Sequence, residues 1–360
     1  MSVALSQRQP FDGLRVAVVA EFLQGSTGRA IAEGVRLAGI PTTEIQVENH
    51  HLHYTARSLR ALGLLVQPLS KRSLEADVLG QVRSAQANAV IILKGTLIRP
   101  QLIEALREQG VYTAIYYPDV HFSHRGVDRA TIAAVDLLCT TKSFHLDPIG
   151  ALRVERPTVL VHHGYMPNIH RPTVPPLSDA DQDVDIFYAG TPSLYKAELL
   201  GEVVKRFPDR RILIAGSGWE AYADAHGLGR HLHGGPIVGT FLAQFHERAR
   251  ISLAMHTGTT GPEGWGDLVS TRTFEIPACR GFMLHPDNAD LRSIFDVTTE
   301  VGSFTDTVSM LDRIEQYLAL PEQRIAMRDA AYARAVPAYS YHARAQEILR
   351  HIVHFRSRIV

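Results

Sequence analysis

Short runs of β-branched and other apolar residues alternate along this chain with longer stretches whose apolar positions recur at helical spacing. The first cycle reads Leu14 to Ala20, Thr27 to Ala38 and Thr42 to Val47, with Gly39-Ile40-Pro41 punctuating the return to a strand. Ala89 to Leu93, a helix from Pro100 to Gln109, Val111 to Tyr116, Ala134 to Cys139 and Thr158 to His162 continue it. The short runs are apolar throughout, which predicts strands covered on both faces, hence a parallel sheet with helical crossovers.

Between Met166 and Asp183 the pattern lapses into Pro167, Pro172, Pro175 and Pro176 followed by Asp179, Asp181 and Asp183, the texture of a linker. The alternation then restarts. Val184 to Ala189, Arg211 to Ala215, Ile251 to Met255 and Gly281 to Leu284 read as strands. Ser193 to Phe207, Val238 to Arg248 and Ser270 to Cys279 read as the helices between them. From Asp306 the chain is helical, with Pro321 at a helix start and Pro337 breaking the run before a last segment from Tyr339 to Phe355. The expected organisation is two Rossmann-like parallel-sheet α/β domains, 1–165 and 184–337, joined by 166–183, with 338–360 as a helix that packs back on the first.

Composition narrows the classes. A chain of 360 residues suits two domains at roughly 150 residues each. Its 37 Lys+Arg balance 37 Asp+Glu, so no basic field is available to hold a phosphate backbone, and a small ligand is a better expectation than nucleic acid. Cys139 and Cys279 sit in separate apolar runs, which is neither a disulfide framework nor a metal knuckle and points to a reducing, cytoplasmic setting. Met1 to Pro10 carry no apolar signal core, and no apolar run approaches the ~20 residues of a membrane span. Any membrane association would be peripheral, through Leu62-Gly63-Leu64-Leu65-Val66 if that run is exposed instead of core.

Ligands of open parallel sheets bind at the carboxyl ends of the strands, so the residues that follow each strand carry the chemistry. Tyr188-Ala189-Gly190-Thr191-Pro192-Ser193 leads from a strand into a helix and offers a glycine, hydroxyls and free N–H groups to a phosphate, with Lys196 one turn on. The plainer reading makes Ser193 an N-cap and Lys196 a solvated lysine. Gly216-Ser217-Gly218-Trp219 ends the next strand and lets a flat ring or a sugar approach the backbone. The twelve residues from His256 to Asp267, including Gly258 and Thr259, hold four glycines, three threonines, two acids and one imidazole, a polar and bendable loop. It runs into Arg272-Thr273-Phe274-Glu275, where two charges one turn apart interrupt an apolar helix, either as a solvated pair or as functional groups. His50-His51-x-His53 matches no metal-ligand spacing, and no metal is expected.

Asp267 and Glu275 are separated by seven residues, and Arg272-x-Phe274-Glu275-x-Pro277-Ala278-Cys279 follows. In these segments the second half resembles GT-B glycosyltransferases, particularly the CgeB-like (spore-maturation type) group-1 families. Val184 to Gly190, the Gly216–Trp219 turn and His163-Gly164-Tyr165-Met166-Pro167 are further points of likeness, and the resemblance is clearest over residues 160 to 345. It implies two Rossmann-like domains facing a cleft and transfer of a sugar from a nucleoside-diphosphate donor without cofactor or metal. Glu275 would then accept the ribose hydroxyls, and Asp267, one methylene shorter than the family's glutamate, would stand at the earlier position. Arg280 stands where the family has glycine.

The same resemblance makes Gly190, Thr191, Lys196, Gly216, Ser217, Gly218, Trp219, His256, Gly258, Thr259, Arg272, Thr273, Phe274 and Glu275 the donor side. Gly25, Ser26, Thr27 and His124 belong to the acceptor side, and Asp119, His121 and Asp267 are the catalytic candidates. Gly25–Arg29 lacks the full dinucleotide fingerprint, so NAD is not expected. The acceptor, a glycan, lipid-linked compound, small molecule or protein, stays open. A nucleotide-sugar epimerase on the same fold, and a binding module without turnover, are the alternatives.

Overall fold

A computed structural model describes residues 11–50, 57–122, 127–146, 156–256, 258 and 264–358, of which 57–66 in backbone only. His51, His53, His124 and Thr259, and the side chains of Leu62 to Val66, lie outside it. The chain forms two compact units, 1–162 with 341–360, and 163–340.

The first unit runs β1 (Val16–Ala20), α1 (Thr27–Leu37), β2 (Thr42–Gln46), α2 (Arg57–Ala85), β3 (Ala89–Leu93), α3 (Pro100–Glu108), β4 (Tyr112–Tyr117), α4 (Arg129–Ala134), β5 (Leu137–Thr140) and β6 (Thr158–Leu160). The six strands are all parallel in the order β2-β1-β3-β4-β5-β6. Every residue of β1 and β4 is buried, as uninterrupted apolar runs require. The second unit follows with β7 (Val184–Ala189), α5 (Leu194–Arg206), β8 (Ile212–Ala215), α6 (Gly239–Arg248) and β9 (Ala249–Leu253). It continues through α7 (Thr271–Ala278), β10 (Met283–Pro286), α8 (Ala289–Ile294), β11 (Gly302–Phe304), α9 (Thr307–Ala319) and α10 (Pro321–Ala335). Its five strands are parallel, in the order β11-β10-β9-β7-β8. Ile186, Leu200, Val203, Ile251, Phe282 and Met310 fill the core between β-sheet and helices, each fully buried aliphatic contributing roughly 1.5–3 kcal/mol.

The last helix, α11 (Tyr341–Arg356), belongs to the first unit and lies against α1. Gly34 makes that approach possible, because a Cβ there would stand 2.7 Å from the Ala345 Cβ. Residues 166–183 contain neither a strand nor an α-helix and are held to the second unit. Thr173 donates to the buried Glu247 carboxylate through its N–H (2.9 Å) and hydroxyl (2.8 Å), and Gln182 Nε2 donates to the Glu247 and Ala249 carbonyls.

The helical and strand pattern of the sequence reappears with shifts at some ends. Ala134 closes a helix instead of opening a strand, because Asp128 caps α4 by accepting from the Ala130 N–H (2.9 Å), and β5 starts at Leu137. The strand expected from Ile251 begins at Ala249, which pairs with Val184. The pattern does not predict α2, a helix of 29 residues. Pro68 lies inside it, and over residues 67–85 the buried face is only the narrow stripe Leu74, Val78 and Val82.

Candidate functional site

All strands of the second sheet are parallel, so the segments after β7, β8 and β9 lie at one edge. Two glycines let the first two meet. A Cβ on Gly216 would stand 2.2 Å from the Gly190 carbonyl oxygen, and that oxygen accepts the indole N–H of Trp219 at 2.9 Å. Gly190 in turn donates to the Ala215 carbonyl (2.9 Å). Trp219 is 1% exposed, so it clips the loops together from beneath, while Thr191, Ser217 and Gly218 stay exposed.

Lys196 lies on the first turn of α5, and Ser193 caps that helix by accepting from the Lys196 N–H (3.4 Å). The lysine is not solvated. Only 3% of it is exposed, and its ammonium donates to the Thr191 carbonyl at 2.9 Å. Burial, and next the charge of Arg272, lower its pKa from 10.5 to about 8 against the opposing pull of Asp267. Arg272 is half-buried on the first turn of α7, donates to the Met255 carbonyl (3.0 Å) and lies over the Tyr188 ring at 5.6 Å. Its buried Nε and the Tyr188 hydroxyl have no hydrogen-bond partner among the described residues. Neither Lys196 nor Arg272 makes an ion pair there. At the opposite edge of the same sheet the cations are all matched: Arg248 and Arg211 to Asp183, Arg250 to Asp185 at 2.6 Å.

Glu275, one turn beyond Arg272, does not pair with it. The carboxylate is nearly buried and makes no hydrogen bond to a described residue; its neighbour is His170 Nε2 at 3.8 Å. His170 Nδ1 accepts the Met166 N–H (3.0 Å), which places the proton of the neutral ring on Nε2, facing Glu275. Burial lowers the His170 pKa, opposed by the charge of Glu275. Behind Thr273, a second histidine pair is fixed the same way. His285 Nδ1 donates to the Pro286 carbonyl (2.7 Å), so its Nε2 accepts from His256 Nε2 (2.9 Å) and the Thr273 hydroxyl (3.0 Å). Burial holds His285 down at about 4. Phe274 is wholly buried and packs edge-on against Tyr339.

Of the residues expected on the donor side, Gly190, Thr191, Lys196, Gly216, Ser217, Gly218, His256, Gly258, Arg272 and Glu275 belong to the loops and helix starts of this one edge, Trp219, Thr273 and Phe274 to the layer that supports it. Gly258 approaches Tyr195 at 3.9 Å, measured from an added Cβ. Asp267 acts on Lys196 electrostatically. Asp119 and His121 are in the first unit, so the three catalytic candidates do not share one sheet edge. Asp119 pairs with Lys94 at 3.0 Å, and the His121 carbonyl accepts the Tyr117 hydroxyl at 2.6 Å. Gly25, Ser26 and Thr27 lead into α1, where Ser26 is the N-cap. Sequence reasoning missed His170, Tyr188 and His285. Tyr188 had a signal, as the last bulky residue before a strand-end glycine; the histidines had none, because their meaning depends on partners distant in sequence. Among the described residues no group of three or more His, Cys, Asp or Glu is placed to hold a metal ion.

Residues 196–350 match the model of a family described as glycosyl transferase-like. No curated protein matches the chain in sequence. Among solved structures it is similar to sucrose-phosphate synthase from Thermosynechococcus elongatus, with 14% identity over 96% of this chain and 100% of that one at a TM-score of 0.67. It is also similar to HepE of Anabaena in complex with UDP-glucose, with 10% identity over 94% and 99% at a TM-score of 0.61. A third is AviGT4, a glycosyltransferase involved in avilamycin A biosynthesis, with 18% identity over 96% and 98% at a TM-score of 0.57. The two parallel-sheet α/β units of this chain are thus those of the GT-B glycosyltransferase fold.

Proposed function

We propose that the chain is a metal-independent glycosyltransferase that takes a hexosyl group from a nucleoside-diphosphate sugar held by the second unit, and that it belongs to the CgeB-like subgroup. The observation that carries this reading is the pair Lys196 and Arg272, two cations at the strand-end edge neither of which makes an ion pair with a described residue. A diphosphate supplies the missing charge. As the bond from sugar to diphosphate breaks, negative charge grows on the departing oxygen, and the two side chains with the N–H groups of the α5 and α7 starts are already placed to stabilise it. Glu275 offers a carboxylate with unspent lone pairs, which suits the two hydroxyls of a ribose, and His170 Nε2 lies 3.8 Å from one of its oxygens. The UDP-glucose bound to HepE supports a uridine donor as the first to try.

Calorimetric titration with UDP and UDP-glucose, wild type beside Glu275→Ala, tests this. Binding that falls at least about tenfold in a normally folded variant is expected, since a buried charged acceptor is lost. Equal binding by both proteins would overturn the ribose assignment, and absence of nucleotide binding in the wild type would overturn the donor reading. NMR of the sugar after incubation distinguishes transfer from epimerisation.

A further inference from the structure

Ile186 and Tyr188 stand at alternate positions of β7 and both enter the core shared with Leu200 and Val203 of α5. Tyr188 brings a polar group there. It is 1% exposed, its ring meets Trp219 edge-on with centroids 5.8 Å apart, and the guanidinium of Arg272 covers it at 5.6 Å. A ring held on these sides cannot turn its hydroxyl to water, yet the hydroxyl is buried with no hydrogen-bond partner among the described residues. A buried hydroxyl left in that state costs stability and calls for an explanation.

Gly190 supplies the geometry. A Cβ on it would stand 2.7 Å from the Tyr188 hydroxyl oxygen and 2.9 Å from Arg272 Nη1, so the missing side chain is what lets phenol and guanidinium come over the same backbone atom. Arg272 is tied to the described residues by the hydrogen bond from Nη2 to the Met255 carbonyl (3.0 Å), while its Nε is buried without a partner among them. A planar fork of N–H groups anchored at one point is free to pivot about it. Burial raises the Tyr188 pKa against the opposing charge of Arg272, so the phenol keeps its proton and offers its lone pairs to an N–H.

We propose that Tyr188 is a positioning residue of the donor site, whose hydroxyl accepts an N–H from Arg272 Nη1 when a diphosphate draws the guanidinium over Gly190. The inference rests on the donor reading and adds a residue to that site. Tyr188 acts through Arg272, because its own hydroxyl is buried and has no surface with which to touch the ligand. A hydrogen bond from a charged N–H is among the stronger ones, and fixing Nη1 from beneath turns the remaining N–H groups toward the anion. The cost of the unpartnered hydroxyl in the free protein is thereby recovered on binding.

Tyr188→Phe tests this in the full chain, since it removes one oxygen and keeps the ring against Trp219 and Arg272. UDP and inorganic diphosphate, the second free of base and ribose, are titrated by calorimetry into the wild type, Tyr188→Phe, Arg272→Ala and the double variant. Expected are about tenfold weaker binding of both ligands by Tyr188→Phe, a urea midpoint no lower than that of the wild type, and no further loss when Tyr188→Phe is added to Arg272→Ala. A tyrosine that served the core alone would cost as much in the Arg272→Ala background as by itself, and that result overturns the proposal. Binding of both ligands by Tyr188→Phe as by the wild type overturns it too. If Glu275→Ala and Arg272→Ala weaken UDP and Tyr188→Phe does not, this inference fails alone; if none of the three affects nucleotide binding, the donor reading fails with it.

Discussion

At the carboxyl edge of the second sheet neither Lys196 nor Arg272 makes an ion pair with a described residue, whereas at the carboxyl edge of the first sheet Lys94 is matched by Asp119. Both sheets are parallel and both place glycines after their strands, so the architecture is common to the two. The difference is in which charges the protein neutralises itself. An edge that leaves cations uncompensated stores a demand for an anion, and an edge that cancels its cation does not. Fold likeness says nothing of this, since one scaffold serves either chemistry.

The sharpest way to break the comparison is to disturb one edge and leave the other. Gly216→Ala puts a methyl group against the Gly190 carbonyl, and about 3 kcal/mol of lost stability is expected from the overpacking, read as a lower urea midpoint. Nucleotide binding should weaken with it under conditions where the protein stays folded. Next in size is Arg272→Ala. Loss of a guanidinium facing a diphosphate should cost about 2 kcal/mol of UDP affinity, roughly thirtyfold by calorimetry.

A pH titration separates the edges without mutation. Lys196 in the free protein has its pKa lowered to about 8, so above that pH it loses the proton that a bound diphosphate requires. UDP affinity should therefore fall above pH 8, by up to about tenfold per unit. For stability the sign is the reverse. The unfolded lysine holds its proton up to 10.5 and the folded one does not, so the buried charge destabilises the fold fully below pH 8, and the protein gains stability between 8 and 10.5. The smallest effect belongs to His170→Ala, about fivefold on UDP through a loosened Glu275, worth about 1 kcal/mol. His170→Gln, which can present an N–H at similar reach, should recover most of it, and discrimination between UDP and its 2′-deoxy analogue should follow the same order.

Much of the second unit was legible from the chain alone. The strand-end residues Gly190 and Gly216, the helix starts at Ser193 and Ser270, and the charges Lys196, Arg272 and Glu275 were all marked by breaks in an apolar pattern, because a parallel sheet turns periodicity directly into position. The fate of those charges was not legible. Lys196 reads equally as a solvated lysine, and Arg272 with Glu275 equally as an i, i+3 surface pair; the structure buries the first and separates the other two. Asp119 reads from the sequence as a catalytic candidate, yet its partner Lys94 is 25 positions earlier, on another strand end, where neither periodicity nor spacing connects them. Helix α2 escaped the pattern because its buried stripe over residues 67–85 is narrow and a proline lies inside the helix.

The sequence by itself determined two parallel-sheet units and the segments that border their strand ends, since these follow from local apolar periodicity and from the φ that glycine and proline allow. Only the tertiary structure decided which charges are compensated, which histidine nitrogen carries the proton and which glycine admits a neighbouring carbonyl. Those outcomes depend on groups far apart along the chain brought within a few ångströms, where burial and pairing set the energy of a charge.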